Sequence, residues 1–103
     1  MRELMSKARR EALRWHLLAA IDLSRPAGIY AEALLPIVQA AYPDATHQEV
    51  RRELDYLEAR VLVTITKDPL DRWAVDLTRH GIDLVEYTSD AQPGIARPTI
   101  TRA

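Results

Sequence analysis

Apolar residues at Val50, Leu54, Leu57 and Val61 are spaced four, three and four apart, and from Leu62 the apolar period falls abruptly to two. A chain with that junction must run an amphipathic helix straight into a strand. It is thereby confined to folds in which a helix and a hairpin share one core. The helix has a clear start: in Thr46-His47-Gln48-Glu49 the Thr hydroxyl is placed to accept from the Glu49 amide while the Glu49 carboxylate reaches back, a capping box. At about 100° per residue the side opposite the stripe carries Gln48, Arg52, Asp55 and Tyr56, with Arg51 and Glu49 on its flanks.

The neighbouring segments complete the pattern. Leu13, Leu17, Leu18 and Ile21 predict a first helix over 6–23, stopped by Ser24-Arg25-Pro26-Ala27-Gly28. A second helix over 31–41 buries Leu34, Leu35, Val38 and Ala41. Pro36 is tolerable there only if the helix begins near Glu32, because the first turn has no internal acceptors to lose. Val61, Val63 and Ile65 alternate before the turn Lys67-Asp68-Pro69-Leu70-Asp71-Arg72, and Trp73, Val75 and Leu77 alternate after it, which makes a β-hairpin. Thr78 caps a last helix through Tyr87, with Ile82 and Val85 inward. Residues 88–103 lack a period and read as a tail, so the domain covers 1–87 and the tail 88–103.

At 103 residues the chain has room for a single core. Its 48% hydrophobic and 28% charged content is that of a globular rather than a disordered protein. The absence of cysteine excludes a disulfide scaffold, a thiolate zinc site and a catalytic thiol together. The apolar run Leu17 to Ile21 ends at Asp22, far short of the about 20 residues a bilayer span needs, so no membrane association is expected. Met1 to Lys7 lacks the apolar stretch of a secretory signal, and the expected location is the cytoplasm.

His16, His47 and His80 have no metal-chelating spacing, three glycines make no phosphate loop, and no nucleophile or carboxylate pair is marked out. No enzyme activity, cofactor or metal is therefore expected. Trp73 shares the face of Val75 and Leu77 and reads as a core residue, and Trp15 lies beside the first helix's stripe; neither is taken as a stacking platform for single strands.

Three helices followed by a two-stranded hairpin is the order of an α+β winged helix-turn-helix domain: a three-helix core, a two-stranded β wing, a C-terminal helix and a tail. That order implies a use for the third helix's outer face. Gln48 and Arg52, one turn apart, are placed to reach base edges in a major groove, with Arg51, His47 and the Thr46 end at phosphate and Lys67 and Arg72 on the wing against the backbone. Double-stranded DNA is the expected partner. The overall net charge of −1 means that such a surface is local, since residues 1–25 carry +3 and 88–103 carry +1. Glu49, Asp55, Glu58, Asp68 and Asp71 lie near it and repel phosphate. They support the alternative, a winged helix that contacts another protein.

The basic cluster Arg2, Lys7, Arg9, Arg10 and Arg14 either adds phosphate contacts or forms the polar side of a helix whose Leu4, Met5, Ala8 and Ala12 pair with a second copy. A homodimer is expected, because one small domain offers a single recognition helix and two are commonly presented about 34 Å apart.

Between Leu17 and Pro98 the chain resembles small winged-helix proteins of Mu-like bacteriophages and prophages. The likeness rests on Thr46-His47-Gln48-Glu49-Val50-Arg51, on Leu57 and Leu62-Val63-Thr64, on Leu77-Thr78-Arg79-His80-Gly81, and on Gly94-Ile95-Ala96-Arg97-Pro98. The Leu-Thr-x-x-Gly element is common among bacterial winged-helix regulators, and its combination with the Gly-x-x-Arg-Pro tail is more specific. Tyr56 stands where relatives often have Trp, and residues 1–14 are an addition. The resemblance implies a phage origin and this fold but supplies no activity; taken with the DNA-facing reading of the third helix, the expected role is in transcriptional regulation or as an accessory to DNA handling such as packaging.

Overall fold

The computed structural model describes residues 2–100. They form α1 (Arg2–Leu23), β1 (Ile29–Tyr30), α2 (Ala31–Ala41), α3 (His47–Ala59), β2 (Val63–Lys67), β3 (Trp73–Leu77) and α4 (Arg79–Val85). The class is α+β, with four helices and a three-stranded antiparallel sheet in the order β1-β3-β2. The expected stripes meet in one core: Leu13, Leu17, Leu18 and Ile21 of α1, Leu34 and Val38 of α2, and Val50, Leu54 and Leu57 of α3 are at most 1% exposed. Burial of each large aliphatic side chain contributes roughly 1.5–3 kcal/mol, enough in sum to fix the three helices on one another. Among the described residues no helix is long and apolar enough to cross a membrane.

The hairpin pairs Val63 with Leu77, Ile65 with Val75 and Lys67 with Trp73. Its inner side delivers Val63, Trp73 and Val75 to the core. The expected two strands are three, because Ile29 and Tyr30 add to the open side of β3. Two residues are too few to show a period. On the other edge the Glu58 carboxylate accepts from the Ile65 amide at 3.0 Å, which protects an unpaired strand.

Several expectations are corrected at helix ends. α1 begins at Arg2 rather than Ser6, since Glu3 and its neighbours are adequate helix formers even without a buried stripe. α2 begins at Ala31, so Pro36 is its sixth residue and does remove a hydrogen bond, the one to the Glu32 carbonyl. Both Pro36 and Glu32 are exposed, and water can take the freed carbonyl. Ala41 is exposed and Leu35 only half-buried. Val61 lies beyond α3, 56% exposed with φ of 61°, because Arg60 ends the helix and the chain must reverse into β2.

α4 ends at Val85, and its buried residues are Gly81 and Leu84, while Ile82 and Val85 are half-buried. Gly81 explains the rotation: a Cβ there would collide with the Leu62 carbonyl, so α4 packs by its smallest residue. The capping box is half formed. The Thr46 hydroxyl accepts from the Glu49 amide, but the Glu49 carboxylate turns to Arg9 at 2.8 and 2.9 Å.

One ion pair lies inside the helical layer. Glu53, 1% exposed, is the only charged residue buried in the described chain. Arg14 Nε donates to it at 2.8 Å and Arg52 Nε at 3.1 Å. Arg14 also donates to the Gly94 carbonyl at 2.9 Å and lies 3.5 Å above the Tyr56 ring. Gly94 adopts φ of 88° and a Cβ would collide with the Tyr56 hydroxyl, so only glycine passes between them.

The segment after α4 is thereby strapped down. The Ala96 amide donates to the Glu11 carbonyl, Ile95 is buried, and Arg97 donates to the Leu84 and Ser89 carbonyls while stacking on Tyr87.

Removing one partner of the buried pair leaves the other charge desolvated. Glu53→Leu and Arg14→Met are each expected to lower stability by about 3 kcal/mol in urea unfolding, and Arg14→Met with Glu53→Leu together should recover most of that loss. Additive losses in the double variant would contradict this.

Candidate functional site

The Thr46 cap fixes where α3 starts and so which side chains occupy its first turn. His47 and Gln48 are exposed there, and Arg52, 63% exposed by its side chain, stands one turn beyond Gln48 on the same side. The hairpin lies alongside. Between them is an open cleft of about 650 Å³, lined by His47, Gln48, Arg51, Arg52 and Asp55 of α3, Glu32 of α2 and Trp73 of β3.

Four of the seven residues expected from sequence therefore line one cleft. Thr46 does not line it, and its hydroxyl is spent on the cap. Lys67 and Arg72 flank the hairpin turn and do not line it either.

Arg51 joins the two elements. Its Nη1 donates to Asp71 Oδ2 at 3.1 Å, its Nη2 to the Asp71 carbonyl at 2.9 Å and to Glu32 at 3.5 Å. Its guanidinium carbon lies 4.7 Å above the centre of the Trp73 ring, and Lys67 Nζ lies 4.4 Å from the same ring. A cation over an indole contributes on the order of 0.5–1 kcal/mol at exposed sites and holds the guanidinium plane.

Arg72 is bound within its own turn. Asp68 accepts from the Leu70 and Arg72 amides and from Arg72 Nε at 2.7 Å. Among the described residues Lys67 has no carboxylate partner within ion-pair distance, whereas Arg51 has two and Arg52 and Arg72 have one each.

The face is consequently close to charge balance, with its cations held in definite positions. Arg51, and then the Trp73 indole, hold the Asp71 carboxyl below the usual carboxylate range. The Arg72 amide, and then its side chain and the Leu70 amide, do the same for Asp68.

Sequence reasoning missed Trp73, Glu32 and Glu53 as parts of this site. Trp73 reads as a core residue, and at 6% exposed it is there, with two cations 4.7 and 4.4 Å from its ring centre. Glu53 carried no clear signal: it falls roughly 70° from the centre of the α3 stripe, as far off as the exposed Glu58 on the other flank, and only its pairing with Arg14 explains its burial.

The N-terminal basic cluster does not form one surface. Arg9 is taken by Glu49 and Asp44 and Arg14 by Glu53, while Lys7 sits 4.0 Å from Glu11. Arg9 is also raised above its ordinary range, first by its hydrogen bond to Glu49. No group of His, Cys, Asp or Glu among the described residues could hold a metal ion.

Asp68 and Asp71 ionise more readily folded than unfolded. Their contribution to stability is complete above about pH 4 and disappears as pH falls through the lower folded-state values. The Asp68→Asn, Asp71→Asn variant is therefore expected to lose stability less steeply than the parent on acidification below about pH 4, read from urea midpoints. Parallel curves would show these carboxylates unlinked to folding. In comparisons with known proteins, the chain matches no family model, no curated protein and no solved structure.

Proposed function

We propose that the chain is a non-enzymatic winged-helix protein that binds double-stranded DNA, with α3 as the recognition helix and the β2–β3 hairpin as the wing. One observation carries this reading: Gln48 and Arg52 are solvent-facing one turn apart on α3, beside a hairpin that brings Lys67 and Arg72 to the same region of the surface. A major groove about 12 Å wide admits one helix, and Gln and Arg supply the paired hydrogen bonds that distinguish adenine and guanine. The free amides at the start of α3 suit a phosphate, and Lys67 on the wing suits the backbone.

A role in transcriptional regulation or as an accessory to DNA handling belongs to this proposal and follows from the DNA-facing helix, while the resemblance to Mu-like phage proteins bears on origin and fold alone. The homodimer belongs to this proposal. Leu4 and Met5, 71% and 70% exposed near the start of α1, supply apolar surface for a second copy. Sedimentation showing monomer alone at micromolar concentrations would remove the dimer.

A second reading, contact with a phage or host protein through the same face, is favoured by the carboxylates that neutralise Arg51, Arg52 and Arg72. Salt separates the two. With a 30-base-pair duplex followed by fluorescence anisotropy, phosphate contact makes affinity fall steeply between about 50 and 200 mM salt. Lys67→Ala is expected to weaken binding on all sequences alike and to reduce the salt slope by about one. Arg52→Ala is expected to cost about 1–3 kcal/mol on a selected site and to relax preference there. Salt-independent or absent binding would favour the protein partner.

A further inference from the structure

We infer that Asp71, assisted by Glu32, occupies on Arg51 the position that a DNA phosphate takes in the complex, so that binding proceeds by exchange of a carboxylate for a phosphate. This rests on the DNA-binding reading of the α3 face and assigns Asp71 as the positioning residue that sets its affinity.

The geometry that supports it has three parts. First, the Arg51 guanidinium is held from beneath: its carbon is 4.7 Å from the Trp73 ring centre, and its Nε is buried without a hydrogen-bond partner. Its Nη groups make the only hydrogen bonds found for its side chain: Nη1 to the Asp71 carboxylate, and Nη2 to the Glu32 carboxylate and the Asp71 carbonyl, so a phosphate oxygen pair would replace the two carboxylates and draw Nη2 off the carbonyl. Two parallel N–H donors presented from a fixed plane are what a phosphate oxygen pair accepts.

Second, the carboxylates lie on the solvent side. The Asp71 and Glu32 side chains are 70% and 42% exposed, against 30% for Arg51. An incoming anion thus reaches them without unpacking the core. An exposed pair of this kind contributes little to stability, so a polyanion can replace it. The buried Glu53 on Arg14 could not be displaced in this way.

Third, Asp71 is placed by its backbone. It has φ of 58°, a left-handed conformation that Asp and Asn adopt more readily than most residues, and it closes the turn after Pro69 and Leu70. Its carboxylate also accepts from the Trp73 indole at 3.4 Å. Asp71→Asn keeps the size, the backbone conformation and an acceptor for the indole while removing the charge that competes with phosphate.

The test is a double-mutant cycle on duplex binding. Parent, Asp71→Asn, Arg51→Ala and the combined variant are titrated by anisotropy against one 30-base-pair duplex of mixed sequence, at about 50 and 150 mM salt, with thermal unfolding checked for each. Asp71→Asn is expected to bind about three- to tenfold more tightly than the parent at low salt. In the Arg51→Ala background the same change should alter affinity less than twofold.

An equal gain in both backgrounds would mean that Asp71 acts only by adding negative charge near DNA, and the exchange would be refuted while the DNA-binding reading stood. Weaker binding by Asp71→Asn would make Asp71 a structural support of the wing and would likewise refute it. No binding by any of the four proteins would remove the DNA-binding reading, and the exchange with it.

Discussion

The Glu53 carboxylate decides how α3 is turned. It is buried on the side of the helix that faces α1, where Arg14 reaches it at 2.8 Å. An apolar stripe alone permits a helix to rock about its axis by tens of degrees, because Leu and Val contacts are not directional. A charge-assisted hydrogen bond is directional. With Glu53 anchored, Gln48 faces solvent, Arg52 reaches solvent while its Nε rests on Glu53 at 3.1 Å, and Arg51 is carried round toward Trp73 and the hairpin turn. The same arginine holds the Gly94 carbonyl, so the segment after α4, α1 and α3 are tied at one point.

Two ion pairs of similar chemistry thus do different things because of where they lie. Arg14 and Glu53, 11% and 1% exposed by their side chains, are architectural: breaking either leaves a desolvated charge. Arg51 and Asp71, 30% and 70% exposed, join α3 to the hairpin with contacts that water or another anion can replace. Burial, rather than distance, separates the fixed pair from the exchangeable one; the two are 2.8 and 3.1 Å long. The near-neutral sum of charge over the cleft is then compatible with a DNA-binding surface whose cations are pre-positioned rather than free. The lower entropy of a held guanidinium favours binding once its carboxylate leaves.

Much of this could be read from the chain. The stripe from Val50 to Leu57, the Thr46 cap and the alternation on either side of Lys67 to Arg72 identify α3 and the hairpin, because buried faces impose their own period. The short strand Ile29–Tyr30 could not be read, since pairing with β3 is a long-range event with no local signature. Ile82 and Val85 were expected to face inward on periodicity alone. Val85 does pack on the core, half-buried, while Ile82 does not join it; the close approach of Gly81 to the Leu62 carbonyl puts Gly81 and Leu84 at the buried centre of α4, a constraint visible only in three dimensions. At the site, the residue types on α3 were legible, but their pairing was not. Asp71 lies twenty residues from Arg51, and only the hairpin's return brings them together. Arg14 was grouped with the exposed basic residues although its position falls among the buried ones of α1, between Leu13 and Leu17.

The proposed DNA contact lies on the face shared by α3 and the hairpin, oriented by Glu53. Amide chemical-shift mapping of the nitrogen-15-labelled protein against a short duplex tests it most directly. Shifts that move with added duplex are expected to concentrate on Thr46 to Arg52 and Lys67 to Arg72, with the Trp73 indole among them. Shifts concentrated on α1 and the segment after α4, with those two stretches unmoved, would contradict it.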